Sequence, residues 1–106
     1  MKLSKAIRKG SEQTVRGTGM YFMGKYKGEI VACVLGSAWI AEKGTEGLEE
    51  CNSHSLSLIW PELAEPHEAP EGTRRDTNLW GVITSLNDNA DWSPEDIASW
   101  LEREGL

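Results

Sequence analysis

The chain has 106 residues, enough for a single domain, residues 1–106, with a modest hydrophobic core. Its formal net charge is −6, with 17 acidic residues against 11 basic ones. Such an acidic balance counts against sequence-specific DNA binding, which depends on neutralising phosphates, so nucleic acid is not the expected partner. Because no run of about 18 apolar residues is present, we also expect no membrane span.

The amino-terminal residues and the two cysteines predict a cytoplasmic protein. The segment from Met1 to Lys9 is charged throughout and lacks the apolar stretch of a secretion signal. Without such a signal, Cys33 and Cys51 are expected to be reduced thiols of a cytosolic protein. A disulfide between them is the less favoured alternative.

Charge is distributed unevenly along the chain. Residues 1–28 contain seven basic residues and one acid, whereas residues 29–106 contain four basic and sixteen acidic residues. The acidic part is either a solvated surface or a surface that attracts basic partners. The basic part supplies the candidate nucleic-acid-binding residues, which share one face of a short predicted helix: Lys2, Lys5, Arg8 and Lys9.

The first third of the chain predicts one helix and one hairpin. Apolar residues recur at i, i+3 and i+4 over residues 2–9, which predicts a short helix that ends at Gly10. Residues 10–19 are rich in Gly, Ser and Thr and are expected to form a loop. Residues 20–32 contain two apolar runs on either side of a glycine-flanked turn, which favours a small β-hairpin.

The middle of the chain predicts a buried helix and then a surface loop. Apolar residues with helical spacing predict an almost wholly buried helix from about Val31 to Glu42, with small residues at Gly36 and Ala38 that would allow close approach of another element. A helical turn is expected around Leu48.

Beyond that turn, Pro61 halts an apolar patch that runs from Leu56 to Trp60. The segment from Ala64 to Asp76 is rich in proline and charge and is expected to be a surface loop.

The last part of the chain carries the most explicit signals. An apolar stripe predicts a helix that is capped by Asp76 or Thr77 and ends at residues 87–89. Ser93 is expected to cap the final helix, with a proline at its first position and its end at Gly105.

Together these elements predict a mainly α protein. We expect a small single-domain bundle of about four short helices around a tryptophan-rich core, with one short β-hairpin near residues 20–32. The predicted core residues are Leu3, Ile7, Val31, Val34, Leu35, Trp39, Leu58, Leu79, Val82, Ile83, Leu86, Ile97, Trp100 and Leu101.

Three stretches resemble one known group of proteins. They are the opening Met1-Lys2-Leu3-Ser4-Lys5-Ala6-Ile7-Arg8, the small-residue run Ala32-Cys33-Val34-Leu35-Gly36-Ser37-Ala38, and the ending Ile83-Thr84-Ser85-Leu86-Asn87-Asp88 followed by Trp92-Ser93-Pro94-Glu95-Asp96-Ile97-Ala98-Ser99-Trp100-Leu101. In order and pattern they resemble small uncharacterised proteins encoded by bacteriophages and prophages, over about a third of the chain. The resemblance implies a helical fold and a host-cell cytoplasm, but no site. Members of that group often carry a Cys-rich element in the middle, where this chain has Cys51-Asn52-Ser53-His54, a departure that counts against a metal role.

The residues that can bind a soft metal ion are few. Cys51 and His54 have a spacing that can chelate zinc, but a closed site needs four ligands, so His67 and Cys33 would have to complete it. Cys33 falls in the predicted buried helix, where a thiol behaves as a small hydrophobe. A thiol nucleophile at Cys51 likewise lacks a supporting motif. We therefore predict that the protein binds no cofactor and no metal and is not an enzyme.

The remaining hypothesis is a non-enzymatic interaction protein that binds a host or phage protein. Its specific form is an acidic inhibitor of a host nucleic-acid-binding machine, and the alternative is a nucleic-acid accessory module that uses the basic amino-terminal segment. The candidate partner-binding residues are Trp60, Arg74, Arg75, Glu95 and Glu102.

Overall fold

The computed structural model describes residues 1–17, 22–45, 48–70 and 77–106. Within these ranges the chain is mainly helical, as predicted, with five α-helices, two short 3₁₀ helices and five short strands. The helices are α1 (Leu3–Ser11), α2 (Val34–Lys43), α3 (Ser53–Ile59), α4 (Leu79–Asp88) and α5 (Pro94–Arg103). The 3₁₀ helices are Leu48–Glu50 and Pro61–Ala64, and the strands are β1 (Thr14–Arg16), β2 (Phe22–Tyr26), β3 (Glu29–Ala32), β4 (Pro66–His67) and β5 (Thr77–Asn78).

Strands β1, β3 and β2 form a mixed sheet in that order. Strand β2 pairs antiparallel with β3 through a turn at Lys27 and Gly28, and both turn residues have the positive φ that tight hairpin turns require. The predicted hairpin is therefore confirmed. The predicted loop over residues 10–19 is wrong at β1, which pairs parallel with β3 and places Val15 opposite Val31.

Helix α2 begins three residues later than predicted. Val31 and Ala32 belong to β3, and Cys33 is the extended residue that precedes the first helical turn. Pairing of β3 with strands on both sides uses the backbone groups of Val31, so this β-branched residue extends the sheet instead of starting the helix.

The close approach predicted for α2 occurs between its backbone and α1. Gly10 lies against the backbone carbonyl of Ser37, and a Cβ atom at this position would overlap it. A glycine at the end of α1 therefore lets the two helices pack with their backbones in contact.

The carboxy-terminal helices form largely as predicted. Ser93 caps α5 by accepting a hydrogen bond from the Asp96 amide over 3.1 Å, and Gly105 has the positive φ that ends the helix. Helix α4 is capped by Asn78, not by Asp76 or Thr77. Asn78 takes this role because its side-chain oxygen accepts from the Gly81 amide over 2.8 Å. Strands β4 and β5 pair with each other, so the predicted loop before α4 is partly a strand pair, and residues 71–76 lie outside the described ranges.

A buried asparagine joins α4 to the end of β1. Asn87 Nδ2 donates to the Gly17 carbonyl over 3.1 Å, and its backbone carbonyl accepts from the guanidinium of Arg16. The same guanidinium reaches Asp91 over 2.7 Å. Each buried polar atom of Asn87 thus has a partner, as burial requires.

Most of the predicted core is buried, with two exceptions. Leu58 has 71% of its surface exposed, and Val31 is half-buried in the sheet. The prediction for Leu58 fails because the apolar patch forms helix α3, in which Leu56 faces the core and Leu58 lies on the opposite face. Trp60, directly after the helix, is buried as well. Buried residues that the prediction missed include Ile40, Leu56, Trp60 and Leu63.

Candidate protein-interaction surface

The basic face of α1 is partly used to hold α5. Arg8 Nε donates to Glu95 Oε2 over 2.9 Å, and Arg8 Nη2 donates to Glu95 Oε1 and to Ser99 Oγ, each over 3.0 Å. Arg8 Nη1 also forms an ion pair with Glu102. One predicted nucleic-acid-binding residue therefore forms ion pairs with two predicted partner-binding residues of the same molecule.

This ion pair changes the acidity of the carboxyl group. Hydrogen bonding and charge attraction from Arg8 hold the pKa of Glu95 below its ordinary value of 4.5. The interaction is at the surface, since two-thirds of the Glu95 side chain is exposed. It therefore orients α1 on α5 more than it stabilises the fold.

The other three basic residues of α1 remain at the surface. Lys2, Lys5 and Lys9 are exposed and form no ion pair with any residue in the described ranges. Lys2 and Lys5 line an open groove of about 360 Å³ between α1 and α5, beside Arg8 and Glu102.

Trp60 is not available as an exposed recognition residue. Its side chain is only 2% exposed, and its indole Nε1 donates to the Met1 carbonyl over 3.1 Å. The partner-binding prediction for Trp60 is not supported, because this residue, which directly follows α3, is buried in the core. Arg74 and Arg75 lie outside the described residues.

The four candidate zinc ligands occupy different environments. Cys33 and Cys51 are buried free thiols, His54 is exposed on α3, and His67 donates through Nε2 to Glu104 over 3.0 Å. The His67 ring also packs edge-on against Trp100, with 5.5 Å between ring centroids. In the part of the chain that the structure describes, no three His, Cys, Asp or Glu residues are close enough together to hold a metal ion.

Burial suppresses ionisation of both thiols. It raises the pKa of Cys33 and, with a smaller contribution from the neighbouring charge of Cys33, raises the pKa of Cys51 to about 12. Because the thiolate is the nucleophilic and metal-binding form, both thiols are poor nucleophiles in the folded protein.

The middle of the chain is rich in glutamate. The segment 44–70 contains six glutamates and neither lysine nor arginine, and we call it the acidic segment. Five of its glutamates lie in the described ranges and form no ion pair with another described residue: Glu49, Glu50, Glu62, Glu65 and Glu68. We therefore consider these carboxylates as candidates for ion pairs with another molecule.

Helix α3 is flanked by these glutamates in the chain and exposes an apolar side chain of its own. His54 and Leu58 are one turn apart on its outer face, and Leu58 is the most exposed large hydrophobic side chain in the described ranges. One 3₁₀ helix precedes α3 and another follows it, and both carry glutamates. We define the α3 surface as Glu49, Glu50, His54, Leu58, Glu62 and Glu65.

Local hydrogen bonds fix the amino-terminal end of the α3 surface. Asn52 caps α3 by accepting a hydrogen bond from the Ser55 amide through its side-chain oxygen over 2.9 Å, and the Ser55 hydroxyl accepts one from the Asn52 amide over 2.9 Å. The same hydroxyl donates to the Glu50 carbonyl over 2.8 Å. The backbone that carries Glu49 and Glu50 is thereby held at the start of α3. Sequence analysis missed this site, although the capping sequence from Asn52 to Ser55 is a signal for the start of a helix.

Neither a protein-family model, nor a curated protein, nor a solved structure matches this chain. Among the described helices, none combines the length and the apolar character needed to cross a bilayer.

Proposed function

We propose that this protein is a small interaction protein of bacteriophage type. It works without catalysis in the cytoplasm of a bacterial host, by binding a host or phage protein. The observation that supports this most is the acidic segment: its described glutamates form no ion pair with any other described residue, whereas Arg8 and Arg16 are engaged by Glu95 and Asp91. Unpaired carboxylates beside an exposed leucine favour a protein partner of opposite charge.

The specific form of the proposal is inhibition of a nucleic-acid-binding machine of the host. Such machines bind phosphates through lysine and arginine side chains. Closely spaced carboxylates are negatively charged like phosphates, so they can attract the same side chains. A protein that occupies this basic surface excludes the nucleic acid by competition.

Capture from a bacterial lysate tests the proposal. The tagged full chain should retain a basic host or phage protein at low salt, lose it as salt rises, and release it when excess nucleic acid is added. Recovery of no protein at low salt would contradict the proposal. Capture of a protein that nucleic acid does not displace would contradict only the inhibitor form.

A charge variant identifies the surface responsible. Replacing Glu49, Glu50, Glu62 and Glu65 by glutamine, which we call the four-glutamine variant, keeps side-chain size and hydrogen bonding but removes four charges. It should reduce capture strongly, because electrostatic attraction of the partner depends on these charges.

The matched control is replacement of Glu12 and Glu29 by glutamine. Both are exposed carboxylates outside the acidic segment, and neither forms an ion pair with a described residue. This control should capture as much protein as the wild type. Equal loss for each charge removed in the control and in the four-glutamine variant would mean that net charge, and not this surface, attracts the partner.

The alternative function is a nucleic-acid accessory module, favoured by the exposed stripe of Lys2, Lys5 and Lys9. With Arg8 held by Glu95, three phosphate contacts predict a slope of about −2.7 in a plot of log affinity against log salt. A gel-shift assay measures this directly. Absence of any shift at about 50 mM salt would eliminate this alternative.

A further inference from the structure

We infer that the α3 surface docks a basic amphipathic segment of a protein partner, with Leu58 as the apolar anchor. The inference rests on the proposed function and adds to it the site and the chemistry of the partner.

The two faces of α3 differ in burial. Its inner face is complete, since Leu56 and Trp60 are both buried in the core, whereas Leu58 on the outer face is 71% exposed. Pro61 and Ala64, which follow α3 in the chain, are exposed as well. No core contact requires a leucine at position 58, so its exposed surface is available to a partner.

The charged residues that flank α3 in the chain are glutamates. Helix α3 has seven residues and is therefore about 10 Å long. In the chain, Glu49 and Glu50 precede it, and Glu62 and Glu65 follow it. A charged rim around an apolar centre is the usual anatomy of a protein–protein interface. Because the whole acidic segment lacks lysine and arginine, the complementary surface must supply the cations.

A foreign protein fits the α3 surface better than a second copy of this chain does. The only basic stripe described in this chain is that of Lys2, Lys5 and Lys9 on α1, and the apolar side chains of the same helix, Leu3 and Ile7, are fully buried in its own core. A second copy therefore offers cations without an apolar side chain beside them. A basic amphipathic helix of another protein offers both, and nucleic acid offers neither.

A defined peptide tests the site on the full chain. The probe is a synthetic helix with lysine on one face and leucine on the other, and its binding is followed by calorimetry. Leu58→Ser should weaken binding about tenfold or more, because the anchor loses its apolar contact. The matched control is Val15→Ser, which alters an exposed apolar residue of β1 (41% exposed) and should leave the affinity unchanged.

Charge variants test the rim. Glu62→Gln with Glu65→Gln should weaken binding and reduce its salt dependence, whereas Glu12→Gln with Glu29→Gln should do neither. A peptide of the same charge that lacks the leucine face should bind the wild type more weakly than the lysine–leucine peptide does. Its affinity for Leu58→Ser should equal its affinity for the wild type. Circular dichroism and the unfolding midpoint confirm that each variant is folded.

Two results would overturn the inference. One is equal affinity of the peptide for the wild type and for folded Leu58→Ser. The other is concentration-dependent self-association in sedimentation experiments that Leu58→Ser abolishes, which would assign the surface to a second copy. If lysate capture persists in Leu58→Ser with its salt dependence intact, the site is wrong and the proposed function stands. If lysate capture also fails for the wild type, both are wrong.

Discussion

Gly10 of α1 rests directly on the backbone carbonyl of Ser37 in α2, with no room for a side chain between them. The contact joins the amino-terminal helix to the most buried helix of the protein. It also sets the position of α1, and with it the position of Arg8, which pairs with α5.

Gly10→Ala should therefore be strongly destabilising. Alanine is favoured over glycine in a helix by about 1 kcal/mol, but a methyl group here overlaps a backbone atom that cannot move away. We expect the free energy of unfolding to fall by about 2–3 kcal/mol in chemical denaturation. Lys9→Ala, an exposed change on the same helix, should alter it by less than about 0.5 kcal/mol. A neutral Gly10→Ala would contradict the described packing.

The stability of the protein should decrease in acid, because protonation of Glu95 weakens its ion pair with Arg8. The folded-state pKa of Glu95 is lowered, so the native state binds this proton less readily than the unfolded chain does. The contribution is therefore present above the ordinary value of 4.5 and is lost as the pH falls through the lower folded-state pKa. Unfolding midpoints measured across this range should show a smaller acid loss in Glu95→Gln than in Glu12→Gln. Identical pH profiles for the two variants would rule the pair out as a contributor.

The thiols should resist alkylation while the protein is folded. With a pKa of about 12, Cys51 is ionised to about one part in ten thousand at pH 8, against about a quarter for a thiol with an ordinary pKa. Labelling by iodoacetamide should be about a thousandfold slower than for a free thiol, and Cys33 should be slow as well, as mass spectrometry can measure. Both should react quickly in denaturant. Rapid labelling of the native protein would contradict the burial of these residues.

Asn87 should be intolerant of apolar replacement. Asn87→Leu leaves the buried Gly17 carbonyl without its donor and disturbs the hydrogen bonds of Arg16. We expect a loss of about 2–4 kcal/mol in the free energy of unfolding, since unpaired buried polar groups cost about 1–3 kcal/mol each. Asn89→Leu, at an exposed position two residues on, is the control and should be nearly neutral. A stable Asn87→Leu would show that these hydrogen bonds contribute little.

The sequence predicts the elements whose signals are local. Helix α5 has its cap, its first-turn proline and its terminal glycine within one short stretch, so its bounds follow from Ser93 and Gly105 alone. The hairpin turn at Lys27 and Gly28 is equally local.

Elements that depend on distant partners could not be predicted in this way. Strand β1 exists because it pairs with β3, and nothing within Thr14–Arg16 indicates that pairing. Helix α3 has only seven residues, too few for its periodicity to show that Leu56 faces inward and Leu58 outward. Arg8 and Glu95 are 87 residues apart, so the basic and acidic residues that looked available from sequence neutralise each other in the fold.

We propose that this protein acts through the carboxylates of the α3 surface. The most direct test is the dissociation constant of the captured partner, measured at rising salt for the wild type and for the four-glutamine variant. We expect the wild type to bind tightly and its affinity to fall steeply as salt rises. We expect the variant to bind more weakly, with an affinity that changes little with salt. Equal affinity and equal salt dependence in the two proteins would contradict it.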